Sequence, residues 1–188
     1  MNRVATLTLF VCIAFTSTAM AQGTADKSKS AIGLKFPAIS GESLAENKVN
    51  LPQAAAGKVT LILMAFERDS IPKLDPWLKA YADAFGAKKD FAFYKIPVMK
   101  SEFAKQISAM INGKMKKDNP KELHDKIVTY YGPIDEYVTA LGIADVEQGY
   151  AFLLDKTGVV TWRSTGPADQ KSTKDLSDAA HKLAANES

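Results

Sequence analysis

The chain has 188 residues, 46% of them hydrophobic and 24% charged, with a formal net charge of +3 and one cysteine. Acidic residues are interspersed with basic ones along most of its length, which excludes the one-signed surface that nucleic-acid binding needs. A lone cysteine, Cys12, excludes an internal disulfide and leaves little room for thiol chemistry.

Residues 1–21 follow the secretory pattern: Arg3, an apolar run from Leu7 to Phe15, then small residues ending Ala19-Met20-Ala21. Removing these 21 of 188 residues leaves 167, about one domain, and takes away both Arg3 and Cys12, so the net charge falls to +2. The apolar run is shorter than the about 20 residues of a membrane span. A soluble exported protein, most simply periplasmic, is therefore expected in preference to an uncleaved anchor. Residues 22–31 are small, polar and charged, and read as a flexible lead-in with nothing to bury.

The domain is expected over residues 32–188. From Ile32 to Gly57, short apolar pairs punctuated by Pro37, Gly41, Asn47, Asn50 and Pro52 predict a small β-hairpin. Val59–Phe66 is an unbroken apolar run, the pattern of a central strand covered on both faces. Leu74, Trp77, Leu78, Tyr81, Ala82 and Phe85 recur at helical spacing, with Asp75 as a candidate cap and Pro76 at the first helical position; a kinked start nearer Ser70 is the alternative. Phe91–Val98 reads as a strand. Residues 101–111 predict a helix capped by Ser101, with Phe103, Ile107, Met110 and Ile111 facing inward, ended by Gly113 and Lys114, Lys116 and Lys117. Asn119-Pro120 then opens a further helix with Leu123, Ile127 and Tyr130 or Tyr131 inward, broken at Gly132-Pro133.

A short helix through Ile134, Tyr137, Val138 and Leu141 follows, with Gly142 as its C-cap. Tyr150–Leu154 and Val159–Thr165, joined by Asp155-Lys156-Thr157-Gly158, predict an antiparallel hairpin. Leu176, Ala179, Ala180 and Leu183 mark a C-terminal helix. Two parallel crossovers, an antiparallel hairpin and a final helix make the expected class α/β and thioredoxin-like: a central mixed sheet flanked by helices, an N-terminal β-hairpin, and a helical insertion over residues 99–132.

Redox-active members of that fold carry Cys-x-x-Cys after the central strand, where the next helix's N-terminus lowers a thiol pKa. Here Glu67-Arg68-Asp69-Ser70-Ile71-Pro72 occupies that stretch, and Gly149 stands where those proteins place a cis-proline. Glu67, Arg68 and Asp69 form a candidate ligand loop beyond a strand's carboxyl end, although a charged loop at a strand end is more simply solvated. His124, with Glu122 and Asp125 beside it, does not have the convergence of a metal site. Met99 and Met115, together with His124, keep a copper-delivery reading open, whereas Met64 and Met110 are expected in the core. No nucleophile elbow or phosphate-cradling loop is present, and no cofactor is called for. Met115, Lys116 and Lys117, followed by Tyr130-Tyr131, suit a protein interface or an anionic lipid surface as well as they suit a solvated loop.

Four segments in the second half are more specific: Lys117-Asp118-Asn119-Pro120-Lys121-Glu122-Leu123-His124; Leu141-Gly142-Ile143; Gly149-Tyr150-Ala151-Phe152-Leu153-Leu154-Asp155; and Thr161-Trp162-Arg163-Ser164-Thr165-Gly166-Pro167-Ala168. Together they resemble the mitochondrial ATPase-complex assembly factor family. The resemblance implies a thioredoxin-like protein without redox chemistry that helps assemble the ATP synthase membrane sector by contacting a newly inserted subunit. It singles out Pro120, Glu122, His124, Gly149, Tyr150, Asp155, Trp162, Arg163 and Gly166. Of these, Glu122, His124, Tyr150, Trp162 and Arg163 are candidate partner contacts alongside Met115, Lys116 and Lys117, and Pro120, Gly149, Asp155 and Gly166 are structural. Tyr150 and Trp162 serve equally well as core residues. The leading expectation is a non-enzymatic periplasmic protein that binds a membrane-complex subunit. A cysteine-independent thioredoxin- or peroxiredoxin-like oxidoreductase and a copper-delivery factor for a respiratory complex are the alternatives.

Overall fold

Val59–Ala65 forms strand β3, every residue of it buried. A computed structural model describes residues 31–185 around it. The proposed leader, residues 22–30 of the lead-in, and Cys12 lie outside the described residues. Because successive strand residues point to opposite faces, Ile62 and Met64 enter one core while Val59, Leu61 and Leu63 enter another. This is why the run reads as continuously apolar.

The seven strands are β1 (Ile39–Ser43), β2 (Lys48–Leu51), β3, β4 (Phe91–Met99), β5 (Val128–Tyr131), β6 (Gly149–Leu154) and β7 (Val160–Thr165). They lie in the order β2-β1-β5-β4-β3-β6-β7. β4 runs parallel to β3 and β5, whereas β6 is antiparallel to β3 and to β7. The helices are α1 (Asp75–Phe85), α2 (Glu102–Gln106), α3 (Ser108–Asp118), α4 (Asp135–Ala140) and α5 (Gln170–Ala185). α1 and α5 cover one face with Trp77, Leu78, Tyr81, Phe85, Leu176 and Ala180. α4 contributes Tyr137 to the other face, with Leu141 just after it and the entering segment through Ala31 and Phe36. The mixed sheet flanked by helices is the expected thioredoxin-like arrangement, with the N-terminal hairpin added to its edge.

Several local expectations are corrected. Residues 119–131 are not a helix: a single 3-10 turn, Lys121–Leu123, leads into strand β5. Val128-Thr129-Tyr130-Tyr131 is β-branched and aromatic, and its backbone finds partners on both sides, β4 through Val98 and Met99 and β1 through Glu42 and Ser43. The insertion is thus helical only in its first half. There α3 continues through Gly113 to Asp118, after an irregular step at Ile107 (φ −103°, ψ 20°). The turn is held past Gly113 by Lys114–Asp118 at 2.9 Å and by Asn119 Nδ2 donating to the Met115 carbonyl at 2.8 Å. The boundary at Ile32 is also displaced, because Ala31 is buried while Ile32 and Leu34 are exposed.

Asp75 does not cap α1. Two 3-10 turns, Arg68–Ser70 and Pro72–Leu74, lead into the helix, and the Asp75 carboxylate pairs instead with the Lys95 ammonium at 2.5 Å. Lys95 comes from the middle of β4 and is buried, so this pair ties the helix start to the sheet.

Candidate functional site

The carboxyl ends of β3 and β4 meet the amino end of β6 at one edge of the sheet, since Ala65 pairs with both Pro97 and Gly149. The Glu67–Ser70 loop closes over this edge. Glu67 forms an ion pair with Lys100, and the buried Ser70 hydroxyl donates back to the Glu67 carbonyl at 2.7 Å. Arg68 and Asp69 point to solvent.

Beneath the loop the corner is filled with hydrocarbon. A Cβ on Gly149 would lie 2.7 Å from Leu74 Cδ2 and 3.4 Å from the Ser70 carbonyl oxygen. Leu74 is fully buried. Next to it, Trp77 Nε1 donates to the Gly166 carbonyl at 3.0 Å, and the Gly166 N–H donates to the Gly149 carbonyl at 2.8 Å. Trp162 meets Trp77 edge-on, with centroids 5.6 Å apart. Leu74, Gly149, Trp77 and Gly166 therefore lock together beneath the Glu67–Ser70 loop.

The candidate partner residues fall into two separate groups. Tyr150 is 2% exposed and spends its hydroxyl on Asp145, donating to the carbonyl at 2.9 Å and accepting from the N–H at 3.1 Å. The Arg163 guanidinium lies over the Tyr150 and Phe152 rings, 5.3 and 5.5 Å from their centroids, and donates to the carbonyls of Leu141 at 2.9 Å and Gly142 at 3.3 Å. These two residues fasten the end of α4 to the β6–β7 hairpin, with Trp162 half-buried on the opposite face. Asp155 closes that hairpin's turn by accepting from Thr157 N and Oγ1, both at 2.8 Å, and from Val159 N at 2.9 Å. Burial pulls its carboxyl upward, but these hydrogen bonds and Lys35 hold it below the ordinary aspartate range.

The other group lies beyond β3 and β4. His124 Nε2 sits 3.1 Å from the carbonyls of both Lys116 and Asn119, at the end of α3. Lys116 pairs with Glu46 of the β1–β2 turn at 2.5 Å. Met115 is half-buried, Lys117, Pro120 and Glu122 are exposed, and Met99 ends β4 opposite Tyr131. A polar cavity of about 390 Å³ separates α3 from β1 and β5, lined by Glu42, Ser108, Asn112 and Thr129 among others. The Tyr131 hydroxyl donates to Asn112 Oδ1 at 2.8 Å. Burial and then the Glu42 carboxylate push this phenol up to about 12, against a hydrogen bond with Thr129 that lowers it.

Phe103 and Met110, assigned inward from the sequence, are each 67% exposed. The half-buried row is Ile107, Ile111 and Met115, spaced by four, and the exposed row is Phe103, Gln106, Met110, Lys114 and Lys117. Lys114 and Lys117 are the signal that could have revealed this. They continue the helical face of Phe103 and Met110 at steps of three and four, and lysines mark a face turned to water.

A model of the ATP10 protein family matches residues 17–183. No curated protein matches the chain. Among solved structures, BsSco, a member of the Sco family of cytochrome c oxidase assembly proteins, is 15% identical with a TM-score of 0.57, covering 80% of this chain and 94% of its own. The exposed lipoprotein thioredoxin Etrx1 of Streptococcus pneumoniae is 12% identical with a TM-score of 0.54, covering 76% and 99%. The thioredoxin domain of a thiol-disulfide oxidoreductase from Bacteroides vulgatus is 22% identical with a TM-score of 0.51, covering 81% and 97%. At these identities the likeness is one of fold, and the fold is thioredoxin-like.

Proposed function

Because this chain belongs to the ATP10 protein family, a family of ATPase assembly factors, we propose that it assists assembly of a membrane protein complex as an exported, redox-inactive scaffold that holds a client subunit. The observation that carries the reading is the closed corner. Leu74 fills the space opposite Gly149, and Cys12, the sequence's only cysteine, sits in the leader-like segment. A thioredoxin-like scaffold packed in this way keeps its rigid sheet and gives up electron transfer, which leaves its surface for binding. The membrane sector of the ATP synthase is the first client to examine, and the leader pattern of residues 1–21 supports work on the outer face of a membrane.

Crosslinking in the native envelope, followed by identification of the captured proteins, tests the assembly role. Subunits of the ATP synthase membrane sector or of another membrane complex are the expected partners. Recovery of none of them would remove the proposal. Purified protein without the leader is also expected to show no thiol-dependent turnover of insulin or peroxide above a protein-free blank, and turnover above that blank would restore the oxidoreductase reading.

A further inference from the structure

α2 and α3 behave as one bent helix. Across the step at Ile107, its N–H still bonds to the Phe103 carbonyl at 3.2 Å, and its own carbonyl accepts from Ile111 N at 3.1 Å. Neither segment contains a buried residue. Ile107, Ile111 and Met115 turn toward the body of the protein and are half-buried, yet none of them joins either core. Among the described residues, no backbone hydrogen bond links residues 102–118 to the sheet.

What crosses from this helix to the sheet is polar. Tyr131 Oη donates to Asn112 Oδ1 at 2.8 Å, and Lys116 pairs with Glu46 at 2.5 Å. The Glu46 side chain is 74% exposed, so solvent screens that pair. At the end of α3 the His124 ring, through Nε2, reaches the carbonyls of Lys116 and Asn119, both at 3.1 Å. Between helix and sheet lies the polar cavity of about 390 Å³, with Glu42, Ser108, Asn112 and Thr129 on its walls. Drawing such walls apart exposes little apolar surface, and apolar surface is the main thing that burial keeps from water. Segments with few buried apolar contacts open at a free energy below that of the whole domain.

We propose that α2–α3 is a flap that swings from β1 and β5 as a unit while both cores stay folded. Its joints are Ser101 and Asn119, extended residues on either side of the helix (φ −88°, ψ 131° and φ −123°, ψ 144°). Tyr131–Asn112 and Lys116–Glu46 are the two latches across the gap, and His124 steadies the second joint. Opening releases both latches and bares Ile107, Ile111 and Met115 on one side and Tyr131 on the other. This gives the assembly reading a moving part and stands without it, because opening requires no client.

Amide hydrogen exchange of the protein without its leader, followed by NMR at low urea concentrations, reads the opening directly. No client is present, so this experiment and the envelope crosslinking fail independently. Residues 108–118 should exchange through one shared opening, at least about ten-fold more readily than β3 and β6 and with little dependence on urea, since swinging one helix exposes little surface. Tyr131→Phe removes one latch and should speed that exchange about five-fold. A covalent latch gives the converse. The leaderless chain has no cysteine, so Glu46→Cys with Lys116→Cys can be bridged by a short bismaleimide. Bridging should slow exchange over residues 108–118 to that of the cores, relative to the same protein before bridging. Exchange there with the urea dependence of β3, or exchange unaltered by bridging, would overturn the proposal. Protection scattered over different opening free energies from amide to amide would overturn it in favour of local fraying.

Discussion

Gly149→Ala should destabilise the protein, and removing the Leu74 side chain should relieve most of the damage. The added Cβ would lie 2.7 Å from Leu74 Cδ2 and 3.2 Å from Leu74 Cγ, whereas packed carbons rest about 3.5–4.0 Å apart. The overlap of nearly 1 Å cannot be relieved outward, because Leu74 is fully buried at the base of α1. Overpacking of this kind costs about 1–3 kcal/mol. Leu74→Ala alone leaves a cavity and costs about 2–5 kcal/mol. If the two side chains compete for one space, the double variant should be about 1–3 kcal/mol more stable than the two single effects predict when added. Urea titration of the four proteins, with midpoints compared at a common slope, gives each value. Strictly additive effects, or a Gly149→Ala protein as stable as its parent, would refute the idea that Leu74 and Gly149 plug the corner together.

The Asp75–Lys95 pair should respond asymmetrically. Lys95 is buried and the Asp75 side chain is 59% exposed, so Asp75→Ala strands a buried ammonium and should cost about 3–5 kcal/mol, whereas Lys95→Met leaves a carboxylate that water can solvate and should cost under about 1.5 kcal/mol. Chemical denaturation of both variants checks the order, and equal losses would count against it. Asp155 should impose an acid dependence. Its carboxyl is held below the ordinary range in the folded state, so its contribution is complete above the unfolded value and is lost as pH falls from about 4 through the folded value. The stability gap between the parent and Asp155→Asn should therefore be constant at neutral pH and shrink in acid, as read from thermal melts across that range; a gap that widens in acid would show the sign to be wrong.

Legibility from the sequence followed the physics of each segment. β3, α1, the β6–β7 hairpin and α5 are amphipathic or fully apolar in their own right, so periodicity identifies them without knowledge of their neighbours. β5 is different. Four residues carry no period of their own, and Val128–Tyr131 becomes a strand only because β4 and β1 each offer an edge. The insertion helix failed for another reason. Phe103, Ile107, Met110 and Ile111 fit a single stripe by counting, and only the contact of Ile107, Ile111 and Met115 with the body of the protein decides which half of that stripe turns outward. Hydrophobicity was a poor guide to burial there, and the lysines would have been a better one. Of the candidate site, the absence of a dithiol was legible from residue types alone, whereas the engagement of Tyr150 by Asp145 and of Arg163 by the Leu141 carbonyl required coordinates.

The entering segment is bonded to residues more than a hundred positions downstream: Gly33 N–H to the Val160 carbonyl at 2.8 Å, Phe36 N–H to the Gly158 carbonyl at 2.9 Å, and Val160 N–H back to the Leu34 carbonyl at 2.9 Å. In a chain delivered N-terminus first, residues 33–36 must wait for residues 158–160 before these backbone groups are satisfied. Closing so long a loop is slow compared with forming local helices. A chain truncated before Gly158 would keep the residues of its central strand but leave the Gly33 and Phe36 N–H groups without their acceptors.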